Sequence, residues 1–384
     1  MSKLSIPVGI LISSDGPYSV VSRSMCCGAL LAVDEVNASG MSVALEPVIG
    51  NPGGQISRYA SLSESMLSDG VRHVVGCYTS SSRKEIIPLF EKADALLWYP
   101  SHYEGFESSS NVIYTGPVAN QHLFPLVEYL TRQVGTTAFC VGSNYIWAWE
   151  NNRILREAIG FGGGVVAERY FPVGDVDFEQ VIEAIIAARP SYIFNTLIGV
   201  SSYQFLRDLR ASCSRRGINQ IETMPVASCT LSEPELQAIG PTAMSGHITS
   251  SVYFSSIVSP ENLAFVQAYA ARHPESPIVS ADAEATYLAV KLLALALAEA
   301  GSDDVDEVKA AVSRQVVKAP QGLVRIDPDT MHASLTPRIA RSTEDGTFEI
   351  LVQFPAPIRA DPYLIRKSPR FGFSSIQGVA RAAS

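Results

Sequence analysis

A chain of 384 residues is too long for one ordinary core and suits two domains. With 47% hydrophobic and only 17% charged residues it carries ample apolar area for two cores, which excludes a disordered chain. The formal net charge of -9 excludes a broad nucleic-acid surface, because that needs clustered Lys and Arg to displace counterions.

The first residues pass directly into a strand-like run, with no apolar region followed by a small-residue cleavage site. The six cysteines are scattered and read as reduced core residues, Cys26 and Cys27 included. Both features point to a cytoplasmic protein; a periplasmic one, with a leader removed, is the alternative. The most apolar stretch, Ala285 to Ala300, is interrupted by Lys291 and Glu299, so it reads as a buried helix and not as a membrane span.

In chain order, strand-like runs fall at Pro7 to Ile12, Val43 to Val48, His73 to Gly76, Ala95 to Trp98 and Asn111 to Tyr114. Between the first four lie helical stretches near Val20 to Val36, Ile56 to Leu67 and Ser82 to Lys92. This alternation predicts an α/β fold with a parallel sheet wrapped by helices. The pattern restarts after Pro117 with a helix near Gln121 to Arg132, a strand at Ala138 to Gly142 and a helix near Asn151 to Ala158. Strands follow at Val165 to Tyr170, Tyr192 to Asn195 and Pro225 to Ser228. From Ser259 the chain is helical again through Phe265 to Ala271 and Ala281 to Ala300, then ends in short strands near Leu323 to Ile326 and Phe348 to Phe354. The tail is expected to return and complete both earlier sheets. The expected organisation is therefore two doubly wound βα lobes joined by a multi-crossing hinge: residues 1–118 with about 254–327 in one lobe, 119–253 with about 328–362 in the other, and 363–384 as a tail. The tail holds the one locally basic segment, Arg366 to Arg381, which reads as a solvated end or a partner-docking segment.

Catalytic signatures are missing: there is no nucleophile elbow, phosphate loop, dinucleotide fingerprint or zinc spacing, and the six histidines are isolated. No cofactor, metal or catalytic residue is expected. What stands out is three polar and aromatic segments placed just after predicted strands, where open parallel sheets bind ligands. The first, Gly76-Cys77-Tyr78-Thr79-Ser80-Ser81-Ser82-Arg83-Lys84, reads equally as a ligand-facing hydroxyl at a helix start or as a plain serine-rich N-cap. The second, Tyr99-Pro100-Ser101-His102-Tyr103-Glu104-Gly105-Phe106-Glu107, joins polar-tipped rings to Ser101 and His102, as a pocket wall or a loop packed on the core. The third, Gly142 to Glu150, places Tyr145, Trp147 and Trp149 after a strand of the second lobe, over a ligand or as a surface anchor. None of the three offers a carboxylate to the ligand unless Glu104, Glu107 or Glu150 swings in, which favours a neutral ligand over an ammonium.

These segments, together with Asn51-Pro-Gly-Gly, Ala93-Asp-Ala-Leu-Leu, Tyr253-Phe-Ser-Ser-Ile and Ala319-Pro-Gln-Gly, resemble the type I periplasmic-binding-protein fold in its short-chain amide and urea branch. The resemblance covers nearly the whole chain and implies a non-catalytic receptor that closes on a neutral amide-like or urea-like molecule. It implies ligand contacts at Ser80, Tyr78, Tyr99, Ser101, His102, Tyr145 and Trp147, with Thr230 a further one. It also implies a regulatory role in which the receptor controls an antiterminator protein, with no direct nucleic-acid contact; a homodimer is left open. The alternative on the same scaffold is the solute receptor of an ABC importer for urea, short amides or branched-chain amino acids. The chain departs from the family pattern at His102, where a proline is usual, and at Asn144, Trp147, Ala148 and Trp149. The departures bear on which ligand is bound.

Overall fold

Short apolar strands alternating with long helices can build one parallel sheet only if each helix returns the chain to the same edge. A computed structural model describes residues 3–160 and 163–365 and shows this twice. In the first lobe β1 (Leu4–Leu11), β2 (Val43–Gly50), β3 (His73–Gly76), β4 (Leu96–Tyr99) and β5 (Val112–Tyr114) form a parallel sheet in the order β2-β1-β3-β4-β5. The crossovers are α1 (Ser19–Ala38), α2 (Ile56–Ser68) and α3 (Ser80–Ala93). Every residue of β3, β4 and β5 is buried, as expected of strands covered on both faces.

The second lobe contains α4 (Ala119–Gln133), β6 (Thr137–Ser143), α5 (Ile146–Ile159), β7 (Gly164–Phe171), α6 (Glu179–Ala188) and β8 (Tyr192–Thr196). It continues through α7 (Val200–Arg215), α8 (Gln220–Thr223), β9 (Val226–Ser228), α9 (Glu233–Ile239) and β10 (Ile248–Ser251). The chain then supplies α10 (Pro260–Arg272), α11 (Ala281–Ala300), α12 (Val305–Val312), β11 (Val316–Ala319), β12 (Gly322–Ile326), β13 (Ala333–Ser334), β14 (Arg338–Ser342) and β15 (Phe348–Gln353). Helix α11 packs its alanines and leucines into the first-lobe core beside Val21, Met25 and Ala29 of α1. Strands β14 and β15 extend the second sheet antiparallel, in the order β15-β14-β10-β9-β8-β6-β7. The chain thus passes between the two lobes three times, after Tyr114, after Ser251 and after Ser334.

Two expectations need correction. The tail completes only one of the earlier sheets, because the run at 322–326 pairs with β11 and β13 in a separate three-stranded antiparallel sheet. A single bridge, Tyr114 to His332, ties that small sheet to the edge of the first. The helix expected at Asn151 starts at Ile146, so Trp147 and Trp149 stand on its first turn and not in a loop. The basic segment Arg366 to Arg381 lies outside the described residues. Among the described residues no single helix is long and apolar enough to cross a membrane.

Close approach of α1 and α11 rests on Gly28, where an added Cβ would stand 2.3 Å from the Ala283 carbonyl oxygen. Backbone cannot yield as a side chain would. Gly28→Ala is therefore expected to destabilise the protein by about 1–3 kcal/mol despite its better helix propensity, read as a lower denaturation midpoint. An unchanged midpoint would show that the two helices can separate freely.

Candidate functional site

The carboxyl ends of the strands in both lobes face each other, and the turns leaving them supply the site. After β3 the chain reverses at Cys77, a non-glycine residue in the left-handed region (φ 65°), whose N–H bonds the Leu11 carbonyl at 3.0 Å. That turn presents Tyr78 to the cleft, while Thr79 caps α3 by accepting the Ser82 N–H at 3.2 Å. After β4, the Tyr99 hydroxyl donates to the Tyr78 carbonyl at 2.9 Å and reaches the His102 carbonyl at 3.4 Å, joining the two turns. Rings then meet in a chain across the lobes. Tyr78 lies 5.1 Å from Tyr18 and 6.1 Å from His102, His102 packs edge-on to Trp147 at 4.8 Å, and Trp147 lies 6.2 Å from Tyr145. The lobes are closed on one another: the Val200 N–H donates to the Pro17 carbonyl at 2.9 Å.

Beneath the ring wall sits a fully buried guanidinium. Arg83 donates to Glu107 at 2.9 Å and to Glu104 at 3.1 Å, and its carbon lies 4.6 Å and 4.5 Å from the ring centres of Tyr99 and Tyr103. Burial alone would raise the Glu107 pKa, but the Arg83 charge and the Tyr114 hydroxyl draw it below the usual carboxylate value. Ser80 belongs to this cluster: its hydroxyl donates to Glu104 at 2.5 Å and lies 3.4 Å from Arg83 Nη1.

The cavity left between the closed lobes is bounded by His102 and Asp282 on one side and by Thr230, Ser250 and Ser251 on the other. Its space open to the centre of a water-sized sphere is about 20 Å³, room for one water and little more. Asp282 Oδ1 stands 4.0 Å from His102 Nδ1, beyond hydrogen-bond range. The Ser101 hydroxyl is buried near Asp282 and holds its pKa down somewhat, without meeting hydrogen-bond geometry. Ser250 Oγ and Trp147 Nε1 are likewise buried without a protein partner. Burial pushes Asp282 up to about 7 and His102 down to about 3, so His102 is neutral and Asp282 is divided between its two forms near pH 7. Glu235, on the second-lobe side, is pushed up to about 8 by burial; it accepts from Tyr203 at 3.1 Å and closes a capping box with Ser232.

The structure thus brings Tyr78, His102, Tyr145 and Trp147 together as a wall and sets His102 and Thr230 on the cavity. Tyr99 and Ser101 stand behind, and Ser80 is committed to Glu104. Sequence reasoning missed Tyr18, Asp282, Ser250, Glu235 and Tyr203. Tyr18 and Ser250 follow or end strands β1 and β10, so inspecting every strand end would have found the first; Asp282 comes from the opening turn of α11, directly after its cap Ser280. Asp282 lies outside the three segments and brings to the cavity a carboxyl group that their reading did not include. No group of three or more His, Cys, Asp or Glu among the described residues could hold a metal ion.

The raised Glu235 pKa has a defined sign. A carboxyl whose folded pKa rises from 4.5 to about 8 contributes stability that is present below 4.5 and is lost as pH climbs through 8. Glu235→Gln keeps the capping box but cannot ionise. Relative to the parent protein, this variant should gain stability between pH 4.5 and 8, by at most about 1.4 kcal/mol per pH unit. Parallel melting-temperature curves for the two proteins across that range would refute the assignment.

A model of the periplasmic binding protein domain matches residues 6–369. A solute-binding protein of an ABC transporter from Rhodopseudomonas palustris, solved with p-hydroxybenzoic acid, superposes with a TM-score of 0.83 at 21% identity, covering 96% of this chain and 99% of that one. A branched-chain amino acid transporter substrate-binding protein from Streptococcus pneumoniae, solved with isoleucine, gives 0.78 at 20% identity over 93% and 100% of the two chains. At these identities the likeness establishes the fold. Among curated proteins, a limonene hydroxylase from Geobacillus stearothermophilus is 28% identical over 126 residues, which spans only 33% of this chain and 23% of that protein. With a family model spanning nearly its whole length, the chain belongs to the periplasmic binding protein domain family, whose fold holds a ligand-binding cleft between two lobes.

Proposed function

We propose that this protein is a non-catalytic solute receptor that closes its lobes on a small neutral molecule of the amide or urea class and presents the closed form to a partner. The observation that carries this reading is the lining of the cavity, where the hydroxyls of Thr230, Ser250 and Ser251 stand opposite His102 and Asp282 and none of the residues that bound it is a lysine or arginine. The buried guanidiniums near it are already engaged, Arg83 by Glu104 and Glu107, and Arg338 by the carbonyls of Gln321, Thr336 and Val252. A carboxylate ligand would lie near Asp282 with no charge to meet it, at a cost of several kcal/mol. A benzoate or an amino acid is therefore disfavoured here, although relatives of the same fold are solved with such ligands. The partner is proposed to be the membrane part of an importer, in keeping with the transporter origin of the structural neighbours. The resemblance of the loop Tyr103-Glu-Gly-Phe-Glu and its companions to amide-sensing regulators supports a second reading, in which the partner is an antiterminator and the compartment is the cytoplasm.

A thermal-shift screen of urea, formamide, acetamide, propionamide, isoleucine and benzoate separates the ligand classes. An amide or urea at a hundredfold excess over its Kd should stabilise the protein by about 2.7 kcal/mol, a shift of several degrees. Stabilisation by benzoate or isoleucine alone would overturn the neutral-ligand reading.

Closure has its own test. Gly199 is in the left-handed region (φ 59°), and a Cβ there would stand 2.0 Å from the Pro17 carbonyl oxygen across the cleft. Gly199→Ala should hold the lobes apart, weakening ligand binding tenfold or more and leaving a larger radius of gyration by small-angle scattering with ligand present. Full affinity and an unchanged radius would show that this contact plays no part in closure.

A further inference from the structure

Two buried groups facing one cavity at a separation too long for a direct bond define what can sit between them. His102 Nδ1 and Asp282 Oδ1 are 4.0 Å apart, both residues line the cavity, and Asp282 has the Ser101 hydroxyl beside it as well. Were Nδ1 to carry the proton, it would point at the carboxyl group across a gap that a hydrogen bond cannot span. With the proton on Nε2, both Nδ1 and Oδ1 are acceptors. One nitrogen set about 2.8–3.0 Å from each closes the triangle, provided it brings two hydrogens. On the opposite wall, Ser250 supplies a fully buried hydroxyl with no protein partner, free to serve the other end of the same ligand. Trp147, packed edge-on to the His102 ring, keeps the imidazole from turning away.

We propose that His102 and Asp282 together read an unsubstituted –NH2 group, one hydrogen to each, and that this pair sets the ligand class as primary amides and ureas. The proposal rests on the amide and urea reading above and adds the group that is recognised. The pair requires both hydrogens, so each N-methyl substitution removes a bond. An ester or ketone of the same shape offers no donor and leaves both acceptors buried and unmatched. A ligand oxygen accepting from Ser250 completes a small planar molecule spanning the two lobes.

Isothermal calorimetry with acetamide, N-methylacetamide, N,N-dimethylacetamide and urea tests this on the full chain, alongside His102→Phe and Asp282→Ala. Phe preserves a ring against Trp147 but has no acceptor. Ala removes the carboxyl group, and Asp282 lies at a helix start where the remaining cap Ser280 is untouched. The parent protein should bind acetamide or urea at least tenfold tighter than the dimethylated amide. Each variant should lose tenfold or more for the primary ligand and level the preference across the methyl series. Should one variant fail to fold, the other and the parent methyl series still decide the matter. Tight binding of primary amides by both variants with the preference intact overturns the paired reader while leaving an amide receptor standing. Failure of the parent protein to bind any amide or urea overturns the receptor reading and the paired reader together.

Discussion

A charged guanidinium with no access to water must be matched where it lies, and Arg83 is the point on which the site depends. Its partners come from a different segment: Glu104, Glu107 and the rings of Tyr99 and Tyr103 all belong to β4 or the irregular stretch after it. Removing one side of such a buried pair typically costs about 3–5 kcal/mol, so the stretch cannot drift from α3 without exposing an unmatched charge. The loop bearing Ser101 and His102 is thereby pinned at both ends, by strand pairing at Tyr99 and by carboxylates at Glu104 and Glu107. The Tyr114 hydroxyl donates to Glu107, and the Tyr114 ring stacks on His332 at 4.1 Å, which extends the same anchoring to the small third sheet.

Above this anchor the electrostatics change character. Charge is concentrated in the Arg83 cluster and held close to neutral at the cavity, where burial drives His102, Asp282 and Glu235 toward their uncharged forms. Recognition in such a place depends on hydrogen-bond pattern and shape more than on Coulombic attraction. Ser80 marks the boundary between the two regimes. Its proton is given to Glu104, so any further contact it makes can only be as an acceptor.

How much of this was legible in the sequence depended on the kind of signal. Strand-then-helix alternation announced the α/β fold because burial on both faces of a parallel strand leaves a continuous apolar run, as in Leu96–Tyr99. Helix α11 was read to the residue, since its alanines and leucines continue without a breaker from the Ser280 cap to Gly301 in the left-handed region. The second lobe was read less completely: α7 mixes serines and arginines with its core residues, so its apolar stripe is narrow, and β10 is four residues of Ile, Thr and Ser that look like a loop. At the site, Tyr78, His102 and Trp147 were visible because they cluster just after strands. Asp282 was not, because its neighbours in space are 180 residues away in sequence at His102, and no local pattern reports such a contact.

A buried polar atom at the cavity explains why a ligand would close the lobes at all. In an open cleft Ser250 Oγ, on the cavity wall, is hydrated at no cost; in the closed one it is removed from water without a protein partner. Each buried unmatched group costs about 1–3 kcal/mol. The ring contacts and the Pro17 to Val200 hydrogen bond favour closure, and the Ser250 hydroxyl opposes it. A ligand that supplies its partner removes the opposition only in the closed form, and a differential affinity of this origin is what shifts a conformational equilibrium. An apolar molecule of equal size would fill the cavity and leave that hydroxyl unmatched, so it would favour closure less.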